Sequence, residues 1–287
     1  MSDRLLSSNG ISLPDNDRYV GPLSEASLGE LEAGAAKERL ERDGYVLLRG
    51  ILPREQVLDI REEYLKLFPA ELVQDGDFRR GNYSGHLPGS MPKHGVAGHP
   101  AYEFVRSETF RRFVDQPILR ELSEALLGGP VERIQRTPLR HFLKNQQIAS
   151  RAHVDGTYIA GKPEDILTLW VPLGDCPIEV GGLVYLEDSH HGVSPQALSR
   201  SEAPTDRPND RRPITHDLKW MSDVTKRRWL VTDYQAGDLI AHTPQIVHAS
   251  LDPKSDMMRI STDIRFIKTG SPTDPRWKQY WSSDDGY

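Results

Sequence analysis

Apolar and polar positions change rhythm about midway along the chain. In the first half the spacing is helical. Residues from Ala35 to Asp43 read as a helix that stops at Gly44, and Tyr45-Val46-Leu47-Leu48-Arg49 follows as a strand. Pro53 suits the first turn of a second helix, because its missing N–H is not needed there. Val57, Ile60, Tyr64 and Leu67 recur at three- and four-residue intervals and give that helix one apolar face. A further helix is predicted over Pro117 to Leu127, ended by Gly128-Gly129-Pro130.

From Val131 onward the texture becomes β-like. Short apolar runs are separated by turn residues: Val131–Leu143, Ile166–Leu173, Leu183–Leu186, Asp238–His242, Ile246–Leu251 and Arg259–Ile267. Many short strands with Gly and Pro between them predict a sandwich or barrel. Two stretches hold neither period. Residues 72–100 are rich in Gly, Pro and His and read as a long loop. Residues 195–235 form a polar insertion carrying Arg207, Arg211, Arg212, Lys226, Arg227 and Arg228 with Trp220 and Trp229. Residues 1–34 are polar with weak periodicity and are expected to be an irregular arm. The expectation is a mainly β protein with flanking helices: an arm over 1–34, then one domain over 35–287 with lid insertions near 72–100 and 195–235.

Composition narrows the function. Hydrophobic residues make up 37% of the 287 positions, enough for a sizeable core. A net charge of -6 argues against a broad nucleic-acid-binding surface. The lone cysteine, Cys176, excludes an intrachain disulfide and any Cys-based metal cluster. The polar start has no apolar stretch of signal-peptide length, and no run approaches the roughly 20 apolar residues of a membrane helix. A soluble cytoplasmic enzyme acting on a small molecule, with no nucleic acid or membrane partner, is the expectation.

The chemistry concentrates in RAHVDGTY. His153 and Asp155 stand two apart, so on an extended backbone both side chains leave the same face. No other His in the chain is followed two residues later by an acid. His248 in QIVHAS is the candidate third ligand. Two imidazoles and one carboxylate on one face of an octahedron hold non-haem iron(II) and leave the opposite positions open. A surface turn with Asp155 accepting backbone hydrogen bonds beside Gly156 is the competing reading. Ser250 follows His248 by two residues and Arg259 by eleven. A guanidinium in that register can hold a distal carboxylate through two parallel hydrogen bonds. Otherwise Arg259 is a solvated partner of Asp252 or Asp256.

With these residues in view, the chain resembles the phytanoyl-CoA dioxygenase family of iron(II)/2-oxoglutarate oxygenases. The likeness runs over roughly residues 36–268, through ERLERDGYVLLRGILPREQV, HVD, LTLWVPLGD, GGLVYLEDSHH and YQAGDLIAHTPQIVHAS to Arg259. It implies a double-stranded β-helix, a cupin-like jelly-roll whose ligand strands lie far apart in sequence. It implies His153, Asp155 and His248 as iron ligands. Arg259 would then pair with the C5 carboxylate of 2-oxoglutarate, and Ser250 would add a hydroxyl. Trp170 and Thr168 would lie beside the cosubstrate or pack the β-core. Gln135 and Lys144 lie where the family often supplies a further polar contact. The implied reaction uses dioxygen, oxidises an unactivated C–H bond, usually to an alcohol, and releases succinate and carbon dioxide. Desaturation, epimerisation, demethylation and ring closure begin at the same site, and a cupin-like metal protein without a keto acid is a further alternative.

The family's usual Pro-Gly-Ser-His turn is Glu187-Asp188-Ser189-His190 here. His190, His191 and His242 are read as non-ligands, His242 because it lacks the Ser and Arg register. Asp155 is a carboxylate where a halogenase of this type leaves room for halide, which favours hydroxylation. Arg79, Arg80, His94, Arg211 and Arg212 are candidates for anionic or hydroxyl-rich substrate groups, or simply solvated lid charges.

Overall fold

The computed structural model describes residues 6–26, 35–89, 91–144, 149–159, 161–194, 198 and 213–283. It opens with β1 (Leu6–Ser8) and β2 (Ile11–Leu13), a hairpin closed by Asn9 and Gly10. Both turn residues have positive φ, the geometry whose twist matches paired strands. Next come β3 (Val20–Pro22) and β4 (Glu25–Ala26), helix α1 (Ala35–Asp43), β5 (Tyr45–Leu48) and helix α2 (Arg54–Leu65). Short helices α3 (Ala101–Phe104) and α4 (Glu108–Val114) precede α5 (Pro117–Leu127).

The β-rich half contains β6 (Val131–Arg133), β7 (Leu139–Phe142), β8 (Ile166–Pro172) and β9 (Leu183–Leu186). After helix α6 (Leu218–Thr225) come β10 (Trp229–Val231), β11 (Leu239–His242), β12 (His248–Ser250) and β13 (Arg259–Lys268).

Apart from the β1–β2 hairpin, these strands make two sheets. The larger has seven strands in the order β4-β5-β11-β8-β13-β6, with β7 also paired to β13; the smaller runs β12-β9-β10-β3. Their inner faces meet: Leu47, Trp170 and Ile240 of the large sheet share one apolar cluster with Leu183, Tyr185 and Leu230 of the small one. The helices cover the outside of the large sheet, where Leu40, Val57, Tyr64, Phe110 and Leu119 pack on Val46, Leu167, Leu169, Ile264 and Phe266. This is the jelly-roll with flanking helices that the family resemblance implied, and it falls within the sandwich or barrel that the strand pattern predicted. Because β8 is covered on both faces, all seven of its residues are buried, which explains its unbroken apolar run.

Several boundaries differ from the expected ones. Residues 6–26 are not an irregular arm. They supply four short strands, and β3 and β4 join the two main sheets by parallel pairing with β10 and β5. The expected run Val131–Leu143 is two strands, β6 and β7. Each pairs with a different stretch of β13, and Pro138 lies between them. The 195–235 insertion ends in α6 and β10, and β10 is an inner member of the small sheet. Arg207, Arg211 and Arg212 lie outside the described residues. Leu67 falls beyond the end of α2 and is 49% exposed, so it is not part of the apolar face. Among the described residues, no helix is long and apolar enough to cross a membrane.

Candidate metal centre

Alternation on β13 directs Ile260, Thr262, Ile264 and Phe266 away from Arg259, Ser261, Asp263 and Arg265. Ile260, Ile264 and Phe266 sit in the helix-covered core. The opposite set therefore looks inward, between the sheets. Cross-strand register then builds a polar row on the inner face: Tyr45 of β5 opposes His242 of β11, His242 opposes Thr168 of β8, and Thr168 opposes Arg265 of β13.

Asp155 is seated on this row. It follows the extended residue Val154 and opens a short 3-10 turn, Asp155–Thr157. His153 precedes Val154 and forms an antiparallel bridge with His248, the first residue of β12. Their backbones exchange hydrogen bonds of 3.0 and 2.9 Å. The bridge joins two segments far apart in sequence and brings the imidazole centroids to 4.2 Å.

The donor atoms converge. His153 Nε2 lies 3.9 Å from Asp155 Oδ1, and His248 Nε2 lies 3.8 Å from the same oxygen. Those three residues are the metal-capable cluster among the described residues, with ligand atoms all within 4.8 Å of one another. An ion at roughly 2.0–2.2 Å from each donor would draw them together by about an ångström. The other ends of the ligands are already tied. His153 Nδ1 meets the Arg151 carbonyl at 2.6 Å and His248 Nδ1 the Ile246 carbonyl at 3.2 Å. An Nδ1–H donated to each carbonyl leaves Nε2 as the free lone pair, as a metal-binding imidazole needs. Asp155 Oδ2 accepts from Thr168 Oγ1 at 2.7 Å and from Arg265 at 3.2 Å, while Oδ1 has only a longer 3.4 Å approach from Arg265 and is the oxygen nearer the two imidazoles.

Protonation states agree with this role. Burial alone would raise the Asp155 carboxyl, but Arg265, His242 and His248 outweigh it and hold it well below the ordinary range. Burial above all pushes His153 down, and it pushes His248 well down with help from His153 and His242. Two neutral imidazoles and one carboxylate are the donor set of a ferrous facial site. The competing reading of Asp155 as a surface turn fails, since its side chain is buried and its oxygens face Thr168, Arg265 and the two histidines.

Arg259 is also buried, and it does not pair with Asp252 or Asp256. Asp252 accepts from Ser7, Asn9 and Gly10, and Asp256 pairs with Lys144 at 2.7 Å. Arg259 stacks over Phe142, 4.0 Å from its ring centroid, and donates Nη1 to the Gly181 carbonyl. Its Nε is buried with no partner, and so is the hydroxyl of Ser261, two residues on along the same face. A buried cation with an unmet donor on the same strand face as a free hydroxyl has the chemistry to accept a carboxylate. Ser261 has no counterpart among the residues the sequence pointed to; its place two residues after Arg259 was the available signal.

The remaining candidates divide. Ser250 shares the inner face of β12 with His248, and its Oγ accepts the Ser150 N–H at 2.8 Å. Thr168 contacts Asp155, whereas Trp170 packs edge-to-face on Tyr234 with centroids 4.8 Å apart. Lys144 is engaged by Asp256, and Gln135 is in contact with Arg133. Arg79 is held by Glu55, Asp59 and Glu62 on α2, so it is a spoken-for lid charge. Arg80 is exposed; His94 bonds the Leu139 carbonyl at 2.8 Å and stacks on Phe142. His190 meets the Glu41 carbonyl and stacks on His191, away from the three ligands. His242 is no bystander, however. Its Nε2 stands 3.6 Å from Asp155 Oδ2, and its Nδ1 meets Tyr185 Oη at 3.1 Å. It supports the carboxylate from behind, together with Arg265, which the sequence did not single out.

Comparison with known proteins adds to this geometry. A model of the family described as Phytanoyl-CoA dioxygenase (PhyH) matches residues 40–261. A 1-deoxypentalenic acid 11-beta-hydroxylase of Streptomyces arenae is 26% identical over 255 residues, covering 82% of each chain. Among solved structures, the epimerase SnoN from nogalamycin biosynthesis, in complex with Fe3+, alpha ketoglutarate and nogalamycin RO, superposes with a TM-score of 0.58 at 22% identity. It covers 87% of this chain and 88% of its own. The carbocyclase SnoK from the same biosynthesis gives 0.56 at 19% identity, covering 89% and 90%.

Proposed function

The chain belongs to the phytanoyl-CoA dioxygenase family, and from that premise we propose that it is an iron(II)/2-oxoglutarate-dependent dioxygenase that hydroxylates an unactivated C–H bond of a small specialised metabolite. The observation that carries this reading is the pairing of two unsatisfied sites on one interior: three converged donors at His153, Asp155 and His248, and the partnerless Nε of Arg259. The first fits a ferrous ion. The second fits the far carboxylate of 2-oxoglutarate, with Ser261 and Ser250 as nearby hydroxyls. When bound, iron and 2-oxoglutarate supply, with dioxygen, the oxidising power that breaks the C–H bond, releasing succinate and carbon dioxide.

The protein's own part is orientation. Thr168 and Arg265 hold Asp155 so that its Oδ1, nearer the two imidazoles, would be the oxygen to bind iron. Arg151 and Ile246 carbonyls fix the imidazole tautomers. The buried inner faces keep water from the reacting carbon. We take the described residues from β3 through β13 as one catalytic unit, since β3 and β4 are members of the same two sheets that carry the candidate site. Hydroxylation is preferred over halogenation because Asp155 occupies the position that halide would need. The biosynthetic setting is supported by the 1-deoxypentalenic acid hydroxylase and the nogalamycin enzymes.

Anaerobic titration of the protein with iron(II) and 2-oxoglutarate tests the reading. A weak charge-transfer band near roughly 500 nm, as for an iron–keto acid chelate, is expected only with both present. Asp155→Ala is expected to lose the band and retain at least 100-fold less iron by equilibrium dialysis. Iron binding without the band would sink the cosubstrate assignment. For a hydroxylase the product mass gains one oxygen atom; loss of two hydrogens would mark desaturation instead.

A further inference from the structure

Arg140 lies between the two halves of the site, and no role described so far uses it. On β7, Leu139 and His141 face the helix-covered side, where Leu139 joins the core and His141 meets Tyr64. Arg140 and Phe142 therefore face inward, opposite Ser261 and Arg259 of β13. Arg140 Nε approaches Asp263 Oδ2 at 3.4 Å, its one carboxylate contact among the described residues, and its side chain is 35% exposed. The two terminal nitrogens of its guanidinium have no partner there.

Other cations around the site are engaged. Arg265 is on Asp155, Lys144 on Asp256 and Arg133 on Asp115.

Charge balance then points to the missing partner. Ferrous iron and 2-oxoglutarate cancel each other's two charges. Arg265 cancels Asp155. Among the described residues, Arg259 and Arg140 then remain against Asp263, which Arg265 also approaches at 3.9 Å, leaving one positive charge in excess at a partly dry site. Such an excess favours an anionic occupant, and a guanidinium with two free terminal nitrogens suits a planar carboxylate.

We propose that Arg140 is a specificity-determining residue that binds the carboxylate of the substrate, so that this enzyme acts on an organic acid carrying one carboxylate. This rests on the oxygenase reading above and adds the substrate's class to it. Bound this way, the carboxylate lies on the β7 side of the inner face, and the carbon to be oxidised extends toward the metal ligands.

The test uses the full chain loaded anaerobically with iron(II) and 2-oxoglutarate. Linear and polycyclic carboxylic acids, 1-deoxypentalenic acid among them, are each offered beside their methyl esters, and retention is read by equilibrium dialysis and mass spectrometry. Acids are expected to be retained roughly 10- to 100-fold over esters, the range of a charge-assisted hydrogen bond. Arg140→Gln is expected to abolish the preference while keeping the 2-oxoglutarate band, and Arg140→Lys to restore part of it. Equal retention of acid and ester, no retention of either, or a preference that survives in R140Q overturns the proposal. Loss of the band in R140Q also overturns it, because Arg140 would then serve the cosubstrate. Absence of the band in the unaltered protein would bring down the oxygenase reading itself, and this proposal with it.

Discussion

Two buried arginines, one beneath α2 and one between the sheets, are weakened as bases to the same degree but stand in opposite circumstances. Burial pushes both Arg61 and Arg259 down to about 10. Arg61 donates to four backbone carbonyls: Arg80 at 3.1 Å, Leu173 at 2.8 Å, Gly81 at 3.1 Å and Met258 at 2.7 Å. It is so closely enclosed that a Cβ at Gly81 would stand 2.7 Å from its Nη2, and one at Gly174 2.9 Å from its Nη1. Both glycines also have positive φ, where a side chain is strained. Arg259 has one carbonyl, an aromatic face and an Nε with nothing to bond. Burial of a cation therefore does not mark a binding site. Unmet donors do, because an enclosed N–H without a partner costs free energy until a ligand supplies one.

The contrast is sharpest in what removal does. Arg61→Met leaves the Arg80, Leu173 and Met258 carbonyls without donors, the Gly81 carbonyl keeping the Met258 N–H at 3.0 Å, and loosens the 79–81 loop against the ends of β8 and β13. A loss of about 3–5 kcal/mol of stability is expected in urea melts, with iron retained by whatever fraction stays folded. An Arg61 variant of ordinary stability would break the comparison. Arg259→Leu is expected to do the reverse: the fold keeps or gains stability, since an unpaired buried charge is gone, while the Kd for 2-oxoglutarate rises by roughly 100-fold, or about 2–3 kcal/mol. Isothermal titration and a thermal melt on the same sample check both halves. A strongly destabilised R259L would place Arg259 in the same class as Arg61.

The smallest expected effect per residue concerns the histidines packed near β7. Burial pushes His94 down to about 3 and His99 to about 4, and His141 well below the ordinary range. Each is depressed in the fold, so the unfolded chain binds more protons once the pH drops below roughly 6.5. Stability is therefore fully present above that value and declines as the pH falls toward the folded values. Going from pH 7 to pH 5 is expected to cost the metal-free protein about 1–2 kcal/mol per buried imidazole, read from urea midpoints. A midpoint that does not move would mean these rings are protonated in the fold.

Some of this was legible in the chain and some was not. Helices α1 and α5 carry their own period and stop signals, and both fall on the expected residues. Strand β9 is likewise bounded by the expected residues. The strands in residues 6–26 were missed because they are three residues or fewer, and β3 depends on a distant partner, β10, some two hundred positions away. Pairing of that kind leaves no local rhythm to read. The candidate ligand trio was visible through spacing and family likeness, whereas Arg265, His242 and Ser261 were not. Their parts depend on which strand lies beside which, and on the face each alternation selects.

What the sequence determined by itself was the chemistry on offer: an imidazole and a carboxylate two apart, a second imidazole with a serine and an arginine in register after it, and β-prone runs to carry them. Only the tertiary structure decided which groups are left wanting. His153 and His248 become neighbours through one antiparallel bridge, Asp155 is turned by Thr168 and Arg265, and Arg61 is satisfied while Arg259 is not. The reason is physical: a side chain's identity sets what bonds it can make, but burial and the geometry of its neighbours set which of them remain unmade.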